Sequence, residues 1–370
     1  MKIALVVHDC CRSVGHGRYV VELAERFSLE HEVHVFANSF DPQLSSRVHR
    51  HHVRSLRATA LTTIFSFPVA AALQIRRGFD IVHAQGFCCP WFNVVTAHIC
   101  NESWFQAQQA LGGGAGWKGR IFRSLVTPLE KWVYRRTSPC QIIAISEKTR
   151  SELSSLYECR SPIHVIHHGV DLIGFSPNNR TSSRAELRDA LSLAPDLPVA
   201  LFVGDLRKGA STVIEALSDL PSLYLVLVSR SPVQQWKEQA RRTGVLTRVR
   251  FCPPTKKISR YYACSDMLVF PTWNDSFGMV ITEAMACGLP VITTRLAGAA
   301  ELIVDNVNGL LLDRAGDSRE LTRLIRKLLA DPKLVVSIGS SARVTAERHS
   351  WDAVADRTLD VYRTALASHA

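Results

Sequence analysis

The chain has 370 residues, of which 46% are hydrophobic and 21% charged, and it carries a formal net charge of +11. That length is too great for one ordinary core and predicts two or three domains of about 100–200 residues each; the composition excludes a disordered chain. The basic excess leaves three partner classes open: nucleic acid, an anionic membrane and an anionic substrate.

Residues 3–7 form the first apolar run, which stops at His8 and Asp9. It is shorter than the about 7–15 apolar residues of a secretory segment and reads as a buried strand. Gly15-His16-Gly17 follows and opens a predicted helix over 17–27, where Tyr19, Val20, Leu23, Ala24 and Phe27 share a face. The glycines let the backbone approach a ligand closely. A dinucleotide fingerprint would need a third glycine where Val20 stands. Residues 58–75, ending at Arg76-Arg77, contain Thr59, Thr62, Thr63, Ser66, Pro68 and Gln74. They are too polar for a span of about 20 apolar residues and predict a helix packed on a domain.

Further strands are predicted at 32–36, 81–83, 94–97, 142–145 and 164–166, with helical stretches between several of them. His98 stands at the carboxyl end of the 94–97 run, where a structural role and a site role are both open. Between 117 and 136, Lys118, Arg120, Arg123, Lys131, Arg135 and Arg136 face one acid, Glu130. Trp117, Ile121, Phe122, Leu125, Leu129, Trp132 and Val133 interleave with them at helical spacing. This is either a membrane-surface helix or an ordinary amphipathic helix with a solvated basic face. The ten cysteines, including Cys10-Cys11 and Cys88-Cys89, contain no Cys-x-x-Cys and no metal spacing, and read as small buried residues of a reduced, cytosolic protein.

Residues 171–198 are rich in Pro, Asn, Ser and Arg and read as a linker, with one short helical piece at 184–191. A second series of strands follows at 199–203, 224–227, 249–251, 267–270, 291–293 and 309–311. Two successive α/β series predict two Rossmann-like domains facing across a cleft, with ligands beyond the carboxyl ends of the strands.

Two constellations in the second series carry chemistry. After the 199–203 strand comes Gly204-Asp205-Leu206-Arg207-Lys208-Gly209, a glycine turn whose paired cations suit a diphosphate; a solvated loop is the other reading. It is not a Walker A loop. After the 267–270 strand comes the stretch from Asn274 to Pro290, where Asp275 or Ser276 is expected to cap a helix that ends at Gly288. Such a helix start suits a phosphate. Asp275 and Glu283, with no basic partner nearby, suit the hydroxyls of a sugar and a ribose, because ionised carboxylates only accept hydrogen bonds. A capping Asp and a surface Glu remain the plain alternative.

These motifs together resemble glycosyltransferase family 4, whose signature is Glu, seven residues, Glu, then Ala-Met-Ala-x-Gly-x-Pro-Val. This chain has Asp275, seven residues, Glu283, then Ala284-Met285-Ala286-Cys287-Gly288-Leu289-Pro290-Val291. The companion signals fall in family order: Gly15 and Gly17, Ala144-Ile145-Ser146-Glu147, His168-Gly169-Val170-Asp171, Arg207-Lys208-Gly209, Gly298 with Glu301, and Asn308-Gly309. The resemblance covers nearly the whole chain and implies the two-domain GT-B fold. Its expected parts are an acceptor-side domain over 1–172, a nucleotide-sugar domain over 173–350, and a helix over 351–370 that crosses back to the first domain.

The resemblance implies a retaining, metal-independent hexosyltransferase that moves a sugar from a UDP- or GDP-sugar to a glycan or lipid-linked acceptor. It holds no permanent cofactor. Arg207 and Lys208 would hold the diphosphate, and Ser276, Phe277, Gly278, Met279 and Val280 would give backbone contacts. Glu283 would take the ribose, Asp275 the transferred sugar, and His98 would face sugar and acceptor. Gly15 or Gly17 would lie near the diphosphate, as would Gly204, which opens the Arg207-Lys208 turn. The implied setting is cell-envelope polysaccharide or glycolipid synthesis, in the cytoplasm or peripheral to an anionic membrane through residues 117–136. Two departures stand out: Asp275 replaces the more usual Glu, and Gly204-Asp205 replaces Gly-Arg. No Asp-x-Asp occurs, in keeping with the metal-independent fold. A sugar-nucleotide epimerase on the same fold is the rival enzyme. No nucleic-acid signature accompanies the positive charge, so no nucleic acid is expected as a partner.

Overall fold

The computed structural model describes residues 1–13, 15–75, 78–110, 116–135 and 140–368; Arg76, Arg77, Arg136 and the side chain of Lys118, all named above, lie outside the described residues. The chain forms two compact units, Met1–Gly169 with Trp351–Ala370, and Val170–Ser350.

The first unit contains β1 (Lys2–Val6), β2 (Asp9–Cys10), α1 (Gly15–Phe27), β3 (Glu32–Ala37), β4 (Ser39–Phe40), β5 (His49–His52), α2 (Ala60–Gln74), β6 (Ile81–Gln85), β7 (Val94–Ala97), α3 (Asn101–Ala110), α4 (Trp117–Tyr134), β8 (Gln141–Ala144), α5 (Glu147–Tyr157) and β9 (Ile163–Val165). Seven of these strands make one sheet in the order β5-β3-β1-β6-β7-β8-β9, and β2 pairs with β4 beside it. Every pairing is parallel. Parallel strands are covered on both faces, which explains why β1, β7 and β8 are continuous apolar runs without alternation. The edge strand β5, His-Arg-His-His, carries no apolar run and is not predicted from the sequence. It forms by pairing with β3, His34 opposite His49, and an edge strand keeps a solvated face that needs no hydrophobic residues.

The second unit contains α6 (Asn179–Ala190), β10 (Val199–Val203), α7 (Ala210–Ala216), β11 (Tyr224–Val228), α8 (Gln234–Arg242), β12 (Val249–Cys252), α9 (Ser259–Cys264), β13 (Met267–Phe270), α10 (Met279–Ala286), β14 (Val291–Thr294), β15 (Leu310–Leu312), α11 (Ser318–Ala330) and α12 (Pro332–Glu347). Its sheet runs β12-β11-β10-β13-β14-β15, the doubly wound Rossmann order, so strand order reverses between β10 and β13. The stretch read as a linker belongs to this unit. Its helix starts five residues before the predicted one, at Asn179, and three of its arginines converge on Asp266, the residue just before β13. Arg180, Arg184 and Arg188 reach the Asp266 carboxylate at 3.1, 2.7 and 2.7 Å. Arg188 is nearly fully buried and also donates to the carbonyls of Pro195 and Leu197. The polar composition that resembled a linker is thus a satisfied ion network.

The last helix, α13 (Trp351–Ala367), belongs to the first unit. Arg26 at the end of α1 holds Asp352 at 2.6 Å, and His83 Nδ1 meets the Tyr362 hydroxyl at 2.6 Å. Trp351 and Tyr362 are fully buried there, and Gly169 has no room for a Cβ because Trp351 lies against it.

Candidate active site

In the second unit, the reversal between β10 and β13 brings two loops together. The chain leaves β10 through Gly204, whose φ of 132° only glycine adopts readily, and Asp205 caps a single 3-10 turn over Leu206–Lys208. Gly209, at φ 113°, ends that turn and starts α7. A Cβ on Gly209 would lie 2.4 Å from the Pro271 carbonyl oxygen, so glycine is what lets the turn press against the chain leaving β13. This close approach sets Lys208 Nζ 2.6 Å from Asp275 Oδ2.

Asp275 therefore has a basic partner, against the expectation from sequence that it has none. Nor does it cap a helix. Its backbone N–H donates to the Leu296 carbonyl at 3.1 Å and its carbonyl accepts from Gly298 N–H at 3.1 Å, a bridge to the segment after β14. Its Oδ1 accepts the Phe277 N–H at 3.2 Å. α10 begins only at Met279, with Gly278 at φ 87° before it and no side-chain cap. The predicted start at Asp275 or Ser276 fails because the left-handed backbone at Gly278 breaks any helix running through it. Ser276, Phe277 and Gly278 form the turn between bridge and helix, and Met279 and Val280 form the first turn of α10. The N–H groups there have no intrahelical acceptors. Gly288, at φ 69°, ends the helix as expected.

Glu283 lies one turn into α10 and is buried, not on the surface, with the Tyr262 hydroxyl donating to Oε2 at 2.8 Å. Tyr262, from α9, has no sequence signal beyond its apolar neighbours. Arg207 is 72% exposed and folds back onto Asp205, with Nε 3.1 Å and Nη2 2.6 Å from the carboxylate. Those hydrogen bonds hold the Asp205 carboxyl below its usual range. The pairing was legible as an acid two positions before an Arg in a tight turn.

In the first unit, Gly17 is required by packing within the chain. A Cβ there would lie 2.4 Å from the Asp9 carbonyl oxygen and 2.7 Å from that of Cys11, whereas one on Gly15 would meet nothing within 4 Å. His98 follows β7 and donates from Nε2 to Gln85 Oε1 at 2.8 Å; its Nδ1 is buried without a hydrogen-bond partner among the described residues. Tyr19 and His168 pack on the ring at centroid distances of 5.2 and 5.4 Å. Burial, then the charges of His168, His16 and His83, push its pKa well below the usual histidine range. A cavity of about 170 Å³ lies here, lined among others by His8, His16, Gln85, His98, Glu130 and Tyr134. Burial lowers His8 to about 4 as well. These imidazoles are neutral at pH 7 and serve as hydrogen-bonding groups rather than cations. His8 was not singled out from the sequence; its place just past the carboxyl end of β1 is the signal that could have marked it.

Glu130 is not the lone surface acid of the basic stretch. It is buried beneath α3, accepting from Asn101 N–H at 2.9 Å, from Asn101 Nδ2 at 3.1 Å and from the Tyr157 hydroxyl. Burial raises its carboxyl to about 7 despite those donors. The acids that face the basic residues come from elsewhere: Glu102 binds Arg123 at 2.5 Å, and Glu158 binds Lys131 and Arg135 at 3.3 and 3.0 Å. All ten cysteines are free thiols, and most are buried.

The model of the Glycosyltransferase Family 4 domain matches residues 14–173, and that of glycosyl transferases group 1 matches residues 183–345. A D-inositol 3-phosphate glycosyltransferase of Xylanimonas cellulosilytica is 34% identical over 245 residues, covering 61% of this chain and 58% of that relative. The chain thus spans little more than half the length of the curated relatives it matches in this way. Among solved structures, WaaG, a glycosyltransferase involved in lipopolysaccharide biosynthesis, superposes with a TM-score of 0.81 at 19% identity, covering 97% of this chain and 99% of WaaG. HepE of Anabaena, solved with UDP-glucose, superposes with a TM-score of 0.77 at 20% identity, covering 98% and 100%. These structures share the fold, and the two family models in tandem account for both units. The chain belongs to glycosyltransferase family 4 and has the two parallel-sheet α/β domains of the GT-B fold.

Proposed function

We propose that the chain is a retaining, metal-independent hexosyltransferase that takes its sugar from a nucleotide diphosphate-sugar, with UDP-sugars tested first because HepE was solved with UDP-glucose and GDP-sugars second. The observation that carries this reading is the Lys208–Asp275 pair at the strand-order reversal of the second unit. A diphosphate at the first turn of α10 offers Lys208 a doubly charged partner. Drawing the ammonium away leaves Asp275 to accept hydroxyls of the transferred sugar. Arg207, exposed on a short tether to Asp205, swings to the same phosphates. Lys208, Arg207 and the N–H groups of Ser276 to Val280 then stabilise the charge that grows on the leaving diphosphate, while Glu283 takes the ribose. In the first unit, neutral His98 and the glycine segment at Gly15 and Gly17 are the residues that the family resemblance implies for contacts with sugar, acceptor and diphosphate.

The acceptor is a glycan or lipid-linked sugar, and the protein works at an anionic membrane surface through α4. What supports this is the helix's orientation: it buries Val126, Val133 and Tyr134 and exposes Trp117, Ile121, Leu125 and Trp132, all half or more open to solvent or close to it. An ordinary amphipathic helix hides its aromatic residues.

The test is a screen of UDP- and GDP-sugars for nucleotide release, followed by Lys208→Ala on the active donor. Release is expected to fall by about 100-fold or more, with unchanged melting temperature. A variant as active as the parent would remove Lys208 from the diphosphate site.

A further inference from the structure

At the edge of the first unit's sheet, β5 carries a side-chain cluster that the proposed transfer reaction does not use. His49 and His51 stand two residues apart on β5, so both imidazoles emerge on one face. Glu32 and His34 stand two apart on β3, and the register sets His34 beside His49. One donor atom each from Glu32, His34 and His49 lies within 4.8 Å of the others. His34 Nε2 is 2.9 Å from Glu32 Oε1, and His34 Nδ1 is 2.8 Å from His51 Nε2. Glu32 and His49 are exposed, so an ion has a path in; His34 is 12% exposed and is held from both sides.

Imidazoles with a single carboxylate are a donor set for zinc, nickel, cobalt or copper, whereas magnesium and calcium require oxygen ligands. One neighbour opposes an ion: Lys2 Nζ lies 3.0 Å from Glu32 Oε1 and competes for the carboxylate. We infer that Glu32, His34 and His49, with His51 behind His34, bind one divalent ion of the zinc–nickel–cobalt class, and that Lys2 lowers the affinity by holding Glu32. Occupancy ties the unpredicted edge strand β5 to β3 and stabilises the folded chain by mass action.

The test uses the full chain without an affinity tag, titrated with Zn²⁺ by calorimetry and with Co²⁺ by its visible absorption. One ion per chain is expected, unaffected by excess Mg²⁺. His49→Ala and Glu32→Gln each weaken binding about tenfold or more, and Lys2→Ala strengthens it. Donor turnover stays at the parental level in all three variants, which separates this site from the transfer site. No saturable binding at one ion per chain overturns the inference, as does binding that survives His49→Ala combined with Glu32→Gln. Unchanged affinity in Lys2→Ala overturns the role of the lysine.

Discussion

Lys208 and Asp275 are 67 positions apart, and their 2.6 Å contact exists because Gly209 has no side chain to keep the two loops apart. Each residue is legible in the sequence as a candidate by type and motif, but the pairing is not, since nothing local to either names the other. The same holds for Glu283, whose position in the motif is plain while its phenol partner Tyr262 comes from another helix. The pair makes Asp275 testable apart from Lys208. Asp275→Asn keeps the shape and removes the charge. It is expected to lower turnover by about 10- to 100-fold while nucleoside diphosphate still binds, because the amide accepts hydroxyls less strongly and leaves Lys208 to the phosphates alone. Comparing kcat with diphosphate affinity in this variant checks it; turnover equal to the parent would show that Asp275 only holds the lysine.

α4 shows what an element's sequence conceals. Its periodicity predicts a helix with apolar and basic residues, and the helix is there. Which side is buried was decided by α3 and α5, which cover the Val126, Val133 and Tyr134 side and bring Glu102 and Glu158 to the cations. Three of the four described basic side chains are thereby paired, so charge counts for less than the sequence implies and exposed tryptophan for more. Flotation with anionic vesicles is expected to recover the protein at low salt. Substituting Trp117 and Trp132 together by Ala should abolish most of the binding, and raising the salt should weaken it only several-fold. A parent protein that stays in the unbound fraction at low salt refutes the membrane role. α10 is the reverse case. Its motif is the strongest in the chain, yet its cap was placed two or three residues too early because a glycine in the left-handed region reads in sequence like any other helix-capping turn.

Across the first unit as a whole, buried histidines set the response to acid. Burial lowers His8 to about 4, and His83 and His168 to about 3. Below the ordinary histidine pKa of about 6.5, the unfolded chain takes up protons that the folded unit refuses. Stability is therefore lost as pH falls from about 6.5 toward 4. Glu130 acts in the opposite sense: its carboxyl titrates at about 7 when folded, so the folded unit gains protons first and is favoured as pH falls toward the ordinary glutamate value. Three histidines outweigh one carboxyl, and the melting temperature should drop across that window. Glu130→Gln removes the opposing contribution and should steepen the drop; a melting temperature that rises on acidification would contradict the assignment.

The two α/β series, the place of nearly every central strand, and the two loops proposed to carry the nucleotide-sugar chemistry were legible from the amino-acid order. Periodicity, buried apolar runs and glycine turns are local properties, written within a few residues of one another. Only the tertiary structure decided that the polar stretch before β10 belongs to the second unit, that β5 exists at all, and that Asp275 meets Lys208 while Glu283 is buried on Tyr262. Each of those rests on partners brought together from distant parts of the chain, and an ion network, an edge pairing or a buried carboxylate has no signature until its partner arrives.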